Sequence, residues 1–117
     1  MTTALGDHEI ERQKLSNRNA LGHYESFAGH RRRLTELLEA RARAFPAERP
    51  PRLCVLGAGN CGDLELARLA ASYRSIHLVD IDEAAVTGAV QRESEPTRAQ
   101  LVAHAPIDLS GLLASLD

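Results

Sequence analysis

Apolar and polar positions follow two different periods, which divide the chain into a helical first part and a mixed second part. From about residue 20 to residue 45, apolar side chains recur at the spacing of an amphipathic helix. Gly29 interrupts this pattern and marks a kink or a boundary between two helices. A shorter helix is predicted over residues 8–16, and Pro46 with the proline-rich residues 48–52 ends the helical part. The apolar positions of the longer pattern are Tyr24, Phe27, Ala28, Leu34, Leu37, Leu38, Ala42 and Phe45.

The second part alternates short apolar runs with helical patterns. Residues 53–56 and 75–80 predict buried strands, and residues 99–103 predict a third strand. Helices are predicted between them over residues 63–73 and 83–91. Helices followed by β-α-β-α-β form half of a doubly wound sheet. The sequence therefore predicts an α/β fold: a Rossmann-like half sheet of about three parallel strands, preceded by N-terminal helices.

Length and composition restrict the kind of protein. The chain has 117 residues, 44% of them hydrophobic and 26% charged, which suits one compact globular domain. We expect a helical region over residues 1–50 and a cofactor-binding unit over residues 51–117. The net charge of -2 gives no reason to expect nucleic acid or a membrane surface as a partner. Two cysteines in neither disulfide nor zinc spacing, with no apolar leader or span, predict a cytoplasmic protein.

A glycine-rich turn follows the first predicted strand. Gly57-Ala58-Gly59-Asn60-Cys61-Gly62 matches G-x-G-x-x-G between a strand and a helix. We expect Gly57 to permit a turn where a side chain would clash, and Gly59 to let the backbone approach a ligand. Gly62 is expected to let the helix pack close to the strand. The helix N-terminus would then direct free N–H groups at an anionic group of the ligand.

An acidic residue ends the second predicted strand. Asp80 lies 18 residues beyond Gly62, where a carboxylate can accept hydrogen bonds from both ribose hydroxyls of an adenosine cofactor. It also disfavours a 2′-phosphate, so NAD is preferred to NADP. The glycine spacing fits NAD, whereas the long helical region before the first strand and the acids Asp63 and Asp82 favour S-adenosylmethionine. A turn that binds nothing is the plain structural alternative.

The same residues resemble a known family. "VLGAGNCGDLEL" (residues 55–66) and "IHLVDID" (residues 76–82) look like the first two cofactor motifs of class I S-adenosylmethionine-dependent methyltransferases. The likeness is strongest to a bacterial subgroup with G-x-G-N-C-x-D-L. Residues 23–40 and 106–111 are similar to the flanking segments of that subgroup. The resemblance implies that Gly57, Gly59 and Gly62 line the methionine part of the cofactor, and that Ala58 and Asn60 also bind it.

The resemblance also implies roles beyond the glycine turn. Asp80 would hold the ribose, Ile81 would pack on the adenine, and Asp108 would lie near the adenine edge. The chain departs from the family at Val55, where many members have an acid, and in a loop one residue longer than G-x-G-x-G. Seven strands are usual in the family, and this chain is expected to supply only about three.

Three functions follow from these patterns. The first is a methyltransferase-like protein that binds S-adenosylmethionine, truncated or completed by a homodimer or a second chain, with unknown catalytic residues and acceptor. The second is an NAD-binding module of an oxidoreductase. The third is a non-catalytic domain that assembles through the open edge of its sheet.

Other reactive side chains are more simply explained by packing or solvation. His23 and His30 are general-base candidates, together with Tyr24, on the helix before the first strand. The run of residues 31–33 is a candidate anion site, or a solvated helix face. His77 is expected to be a packed residue or an edge residue and not a ligand, and His104 near Asp108 does not make a metal site. Cys61 is either a reactive thiol or a small space-filling residue.

Overall fold

The computed structural model describes residues 10–15 and 28–109. Residues 10–15 are helical, as predicted, and the rest of the predicted helix over residues 8–16 lies outside the described residues. The same holds for residues 20–27, which include His23 and Tyr24. The elements in chain order are α1 (Ala28–Ala42), β1 (Arg52–Leu56), α2 (Leu66–Ala70), β2 (Ser75–Val79), α3 (Glu83–Gln91), α4 (Glu95–Arg98) and β3 (Leu101–His104).

The three strands form one open sheet in the order β1-β2-β3, and both pairings are parallel. Cys54 lies opposite His77, and Val79 lies opposite His104. All three strands therefore end at the same edge of the sheet. This confirms the prediction of an α/β protein with a Rossmann-like half sheet.

One face of the sheet carries the core. Ile76 and Leu78 of β2 are fully buried, and they cluster with Leu69 of α2 and Val86 of α3. The strand order β1-β2-β3 runs in one direction across the sheet. Two crossover connections of the same hand therefore place their helices on the same face. The opposite face is less covered, as the 64% exposure of Leu56 on that face shows.

The prediction that residues 53–56 form a buried strand is therefore wrong for part of the strand. Leu53 and Val55 pack against the core, whereas Cys54 and Leu56 are exposed. Alternate side chains of a strand point to opposite faces. A strand at the edge of a sheet with one covered face consequently buries every second residue.

The buried face of α1 differs from the predicted one. Leu37 is 68% exposed, and Phe45, beyond the end of the helix, is 46% exposed. Arg31, Thr35 and Ala42 are buried instead. With the half-buried Leu38 they follow the i, i+4, i+7, i+11 spacing of one helix face, so two polar residues belong to the interior side of α1.

Helix α2 is much shorter than the predicted helix over residues 63–73. It begins at Leu66 because residues 61–65 are not helical, and the N–H of Glu65 donates to Oγ1 of Thr35 on α1 (3.0 Å). Helix α3 has the predicted bounds, with Asp82 as its N-cap accepting from the N–H of Ala85 (3.2 Å). The third strand is displaced toward the C-terminus by the additional helix α4. No helix among the described residues is long and apolar enough to cross a membrane.

Candidate functional site

The glycine loop leaves β1 at the edge of the sheet where all three strands end. Gly57 and Gly59 have φ values of 69° and 55°, and Cys61 has a φ of 56°. This left-handed region suits glycine and penalises most other residues. The loop thus adopts the left-handed conformation at every second residue, 57, 59 and 61.

The predicted reasons for two of the glycines are wrong. A Cβ atom on Gly57 would have no neighbour within 4 Å, so the positive φ, and not a clash, favours glycine there. A Cβ atom on Gly62 would meet only Oδ1 of Asn60, at 3.1 Å. Gly62 therefore accommodates the Asn60 side chain and does not bring a helix close to the strand. The space beside Gly57 is open.

Asp80 joins the glycine loop to the end of β2. Its Oδ2 accepts from the N–H of Gly59 and its Oδ1 accepts from the N–H of Asp82, each at 2.8 Å. Only 2% of Asp80 is exposed. The acid predicted to hold a ribose thus lies against the glycine loop, with both of its oxygens bonded to the protein's own backbone.

Asp80 also anchors the segment after β3. Its C=O accepts from the N–H of Ile107 (2.9 Å), and its N–H donates to the C=O of His104 (3.2 Å). Ile81 is half-buried beside it, and Asp108 is exposed. The predicted loop, acid and adenine-side residues are therefore brought to one edge of the sheet, with Asp108 at its periphery.

A cavity of about 670 Å³ opens beside Ile81, next to this edge. Ile81 and Pro106 line it, and it extends between α3 and the helical residues 10–15, which contribute Lys14. Apolar and polar side chains contribute in similar numbers to its lining.

Four backbone N–H groups of the loop that could bind an anion already have acceptors within the chain. The N–H groups of Gly57 and Ala58 both donate to the C=O of Val79, at 2.8 and 3.0 Å. The N–H of Gly59 donates to Asp80, and the N–H of Gly62 donates to Oδ1 of Asn60 (3.0 Å). The prediction that a helix N-terminus follows Gly62 is wrong, because α2 begins four residues later. The arrangement lacks the row of free donors that binds a pyrophosphate.

Two arginines that the sequence did not single out for this role hold the loop by its carbonyl groups. Nη1 of Arg31, on α1, donates to the C=O of Gly62 at 3.3 Å. Nη2 of Arg92, which follows α3, donates to the C=O of Asn60. Arg31 is only 7% exposed, so it is neither a solvated residue nor an external anion site. Arg32 and Arg33 are exposed, as the solvated-face interpretation expects.

Cys61 is a space-filling residue. Its side chain is buried, and burial raises the pKa of its thiol from 9.0 to about 12. A thiol with so high a pKa stays protonated near neutrality and is a poor nucleophile. The interpretation of Cys61 as a reactive cysteine is therefore wrong.

A pair of histidines lies on the less covered face of the sheet. Nδ1 of His77 and Nε2 of His104 are 2.9 Å apart, and Nε2 of His77 is 3.1 Å from Oγ of Ser75. The two rings are stacked, with centroids 5.2 Å apart. His77 is half-buried, as predicted for a packed residue, and the pairing with His104 was not predicted. Among the described residues no three His, Cys, Asp or Glu side chains form a metal-binding group.

His30 completes the predicted general-base candidates. It is exposed on α1, while His23 and Tyr24 lie outside the described residues.

Comparison of the chain with family models, with curated proteins and with solved structures finds no match. The geometry of the loop and of Asp80 is therefore the basis for assigning a function.

Proposed function

We propose that the chain binds S-adenosylmethionine at the carboxyl edge of its sheet and acts as a methyltransferase-like protein. One observation supports this above the others: the Asp80 carboxylate contacts the N–H of Gly59. Ligands of open α/β sheets bind outside the carboxyl ends of the strands. A glycine loop and an acid on neighbouring parallel strands, in contact at that edge, are the two parts that an adenosine cofactor requires.

The hydrogen bonds of the loop favour S-adenosylmethionine over NAD. Pyrophosphate requires free N–H donors, and those of Gly57, Ala58, Gly59 and Gly62 are already used. The methionine end of S-adenosylmethionine carries one carboxylate, which needs fewer donors than a pyrophosphate, and an ammonium group, which requires acceptors. Asp63, exposed next to the loop, offers a carboxylate for that group.

Asp80 is proposed to hold the ribose when the cofactor is bound. A carboxylate has about four lone-pair positions, and the bonds from Gly59 and Asp82 occupy one on each oxygen. Because Asp80 is almost fully buried, ribose hydroxyls reach it only if the Gly59 bond yields. The adenine would then pack on Ile81, next to the cavity that Pro106 also lines.

Methyl transfer depends mainly on positioning an acceptor against the sulfonium. In this proposal the described strands hold the cofactor, and a second chain supplies the wall that positions the acceptor. The two cysteines form no disulfide, and the proposal assigns the protein to the cytoplasm.

Isothermal titration with S-adenosylhomocysteine, and with NAD in parallel, tests the cofactor. The wild-type chain is expected to bind the homocysteine product and not NAD. Gly57→Asn is the informative variant, since asparagine tolerates positive φ and its side chain fills the open space beside the loop. This variant should no longer bind S-adenosylhomocysteine, and it should unfold at nearly the same denaturant concentration as the wild type.

Gly29→Asn serves as the matched control, because Gly29 also has open space around it but lies on α1, away from the loop. It should bind like the wild type. Binding of NAD alone would assign the chain to the oxidoreductase alternative. If neither ligand binds, the proposal that this chain binds a cofactor is refuted, and the result favours the non-catalytic assembly domain.

A further inference from the structure

The outer edge of β1 carries backbone groups that no described residue satisfies. The C=O of Pro51 accepts from Arg74, and the N–H of Gly57 donates to Val79, so both groups face β2. Backbone groups alternate in direction along a strand. Those of residues 52, 54 and 56 consequently face away from β2, and the part of the chain that the structure describes gives them no backbone partner.

An apolar groove of about 320 Å³ runs along this edge. All four residues 53–56 line it, together with Leu34 and Leu38 of α1. Neighbouring side chains of a strand point to opposite faces of the sheet, so they cannot all line one groove. Because four consecutive residues line this groove, its wall on the β1 side is the backbone edge of the strand. An edge with unpaired groups beside an apolar wall is the kind of surface to which another strand is added.

We propose that a second copy of the chain pairs with this edge, so that the two β1 strands run antiparallel about a two-fold axis centred on Cys54. In that register Cys54 lies opposite its own equivalent. Arg52 lies opposite Leu56 of the second copy, and Leu56 lies opposite the second Arg52. Each outward-facing residue thus meets another outward-facing residue, and each such pair exchanges both backbone hydrogen bonds.

The side chains along the edge suit a second copy. The aliphatic part of Arg52 would cover Leu56 of the other chain, which is 64% exposed here. Asp63, which follows the carboxyl end of β1 in the chain, also lines the groove. Antiparallel pairing brings the arginine of the second copy to that end, and Arg52 and Asp63 form no ion pair with any described residue. Opposite charges thus meet at both ends of the paired strands.

Light scattering during size-exclusion chromatography, over a wide range of protein concentration, gives the oligomeric state. The wild-type chain should be a dimer that dissociates on dilution. Arg52→Glu places an acid against Asp63 of the other chain and should weaken dimerisation by roughly tenfold. The double variant Arg52→Glu/Asp63→Arg restores opposite charges and should recover the dimer. Both residues are exposed, so folding should survive in each variant.

Oxidation with copper-phenanthroline tests the register. Opposite residues of a hydrogen-bonded antiparallel pair have Cα atoms about 5.5 Å apart, within the range of a disulfide. Cys54 is exposed and Cys61 is buried, so the wild type should form a Cys54-linked dimer and Cys54→Ser should not. A monomer at all concentrations would overturn the proposal. So would a dimer that ignores the charge reversal and gives no Cys54 link, because it would use another surface.

Discussion

The Asp80 carboxylate and the Gly59 amide are joined by a hydrogen bond of 2.8 Å that crosses from β2 to the glycine loop after β1. Both partners are buried. The other carboxylate oxygen accepts from Asp82 in the turn before α3. Asp80 therefore holds both segments that border the candidate cofactor site, and removing its carboxylate should destabilise both of them.

Asp80→Asn should lower the free energy of unfolding by about 2 kcal/mol, since hydrogen bonds to a charged group are worth about 1.5–3 kcal/mol. The amide keeps one acceptor oxygen and presents an NH₂ group to one of the two backbone donors. Urea denaturation measures the change. Asp63→Asn, an exposed acid of the same loop, is the control and should change stability by less than about 0.5 kcal/mol. Equal losses in the two variants would mean that the Asp80 bonds do not support the loop.

Arg31→Met should destabilise the fold by about 1–3 kcal/mol, because it leaves the C=O of Gly62 without its donor in a partly buried position. Methionine keeps an unbranched apolar stem and carries no hydrogen-bond donor. Arg33→Met, on the exposed side of α1, should have almost no effect. Denaturation of the two variants side by side makes the comparison, and a similar small effect from both would contradict the loop-holding role of Arg31.

Cys61 makes stability depend on alkaline pH. Its thiol pKa is about 12 in the folded chain and 9.0 when exposed. Below pH 9 the thiol is neutral in both states, so its contribution to stability is fully present. Between pH 9 and 12 only the unfolded state ionises, and the contribution falls by at most about 1.4 kcal/mol per pH unit.

The check is the stability difference between the wild type and Cys61→Ala, measured by denaturation across this range. It should be constant up to about pH 9 and then shift in favour of the alanine variant. Other groups that ionise at alkaline pH cancel in the difference. A difference that stays constant up to pH 12 would show that the thiol does not titrate abnormally.

The His77–His104 hydrogen bond should give a coupling energy of about 1 kcal/mol. The two single leucine variants and the double variant form the double-mutant cycle that measures it. A second cycle pairing His77 with the exposed His30 of α1 should give a value near zero. If the two cycles agree, the ring contact adds nothing to stability.

The order of strand, glycine loop, strand and acid was predictable because each carries a local signature. Apolar runs, glycines and the acid after β2 are all visible in residues 53–80. The His77–His104 pair was not, since it depends on the register between β2 and β3. Local pattern does not specify which residues of two separate strands lie side by side.

The buried face of α1 was mispredicted for a related reason. Counting only apolar side chains selected Leu37, whereas the helix buries Arg31 and Thr35. Both are polar residues whose hydrogen-bonding partners, at Gly62 and Glu65, lie about thirty positions further along the chain. A buried polar residue is stable only with such a partner. Spacing alone did contain the signal, because Arg31, Thr35 and Ala42 share one face.

The most direct test of cofactor binding follows the backbone amides in ¹H–¹⁵N spectra while S-adenosylhomocysteine is added. The amide of Gly59 should show the largest shift, because its bond to Asp80 is the one that the ribose must replace. Asp82 and Ile107, which also bond to Asp80, should follow. An unchanged Gly59 amide at saturating ligand, or shifts confined to other parts of the sheet, would contradict the proposed site.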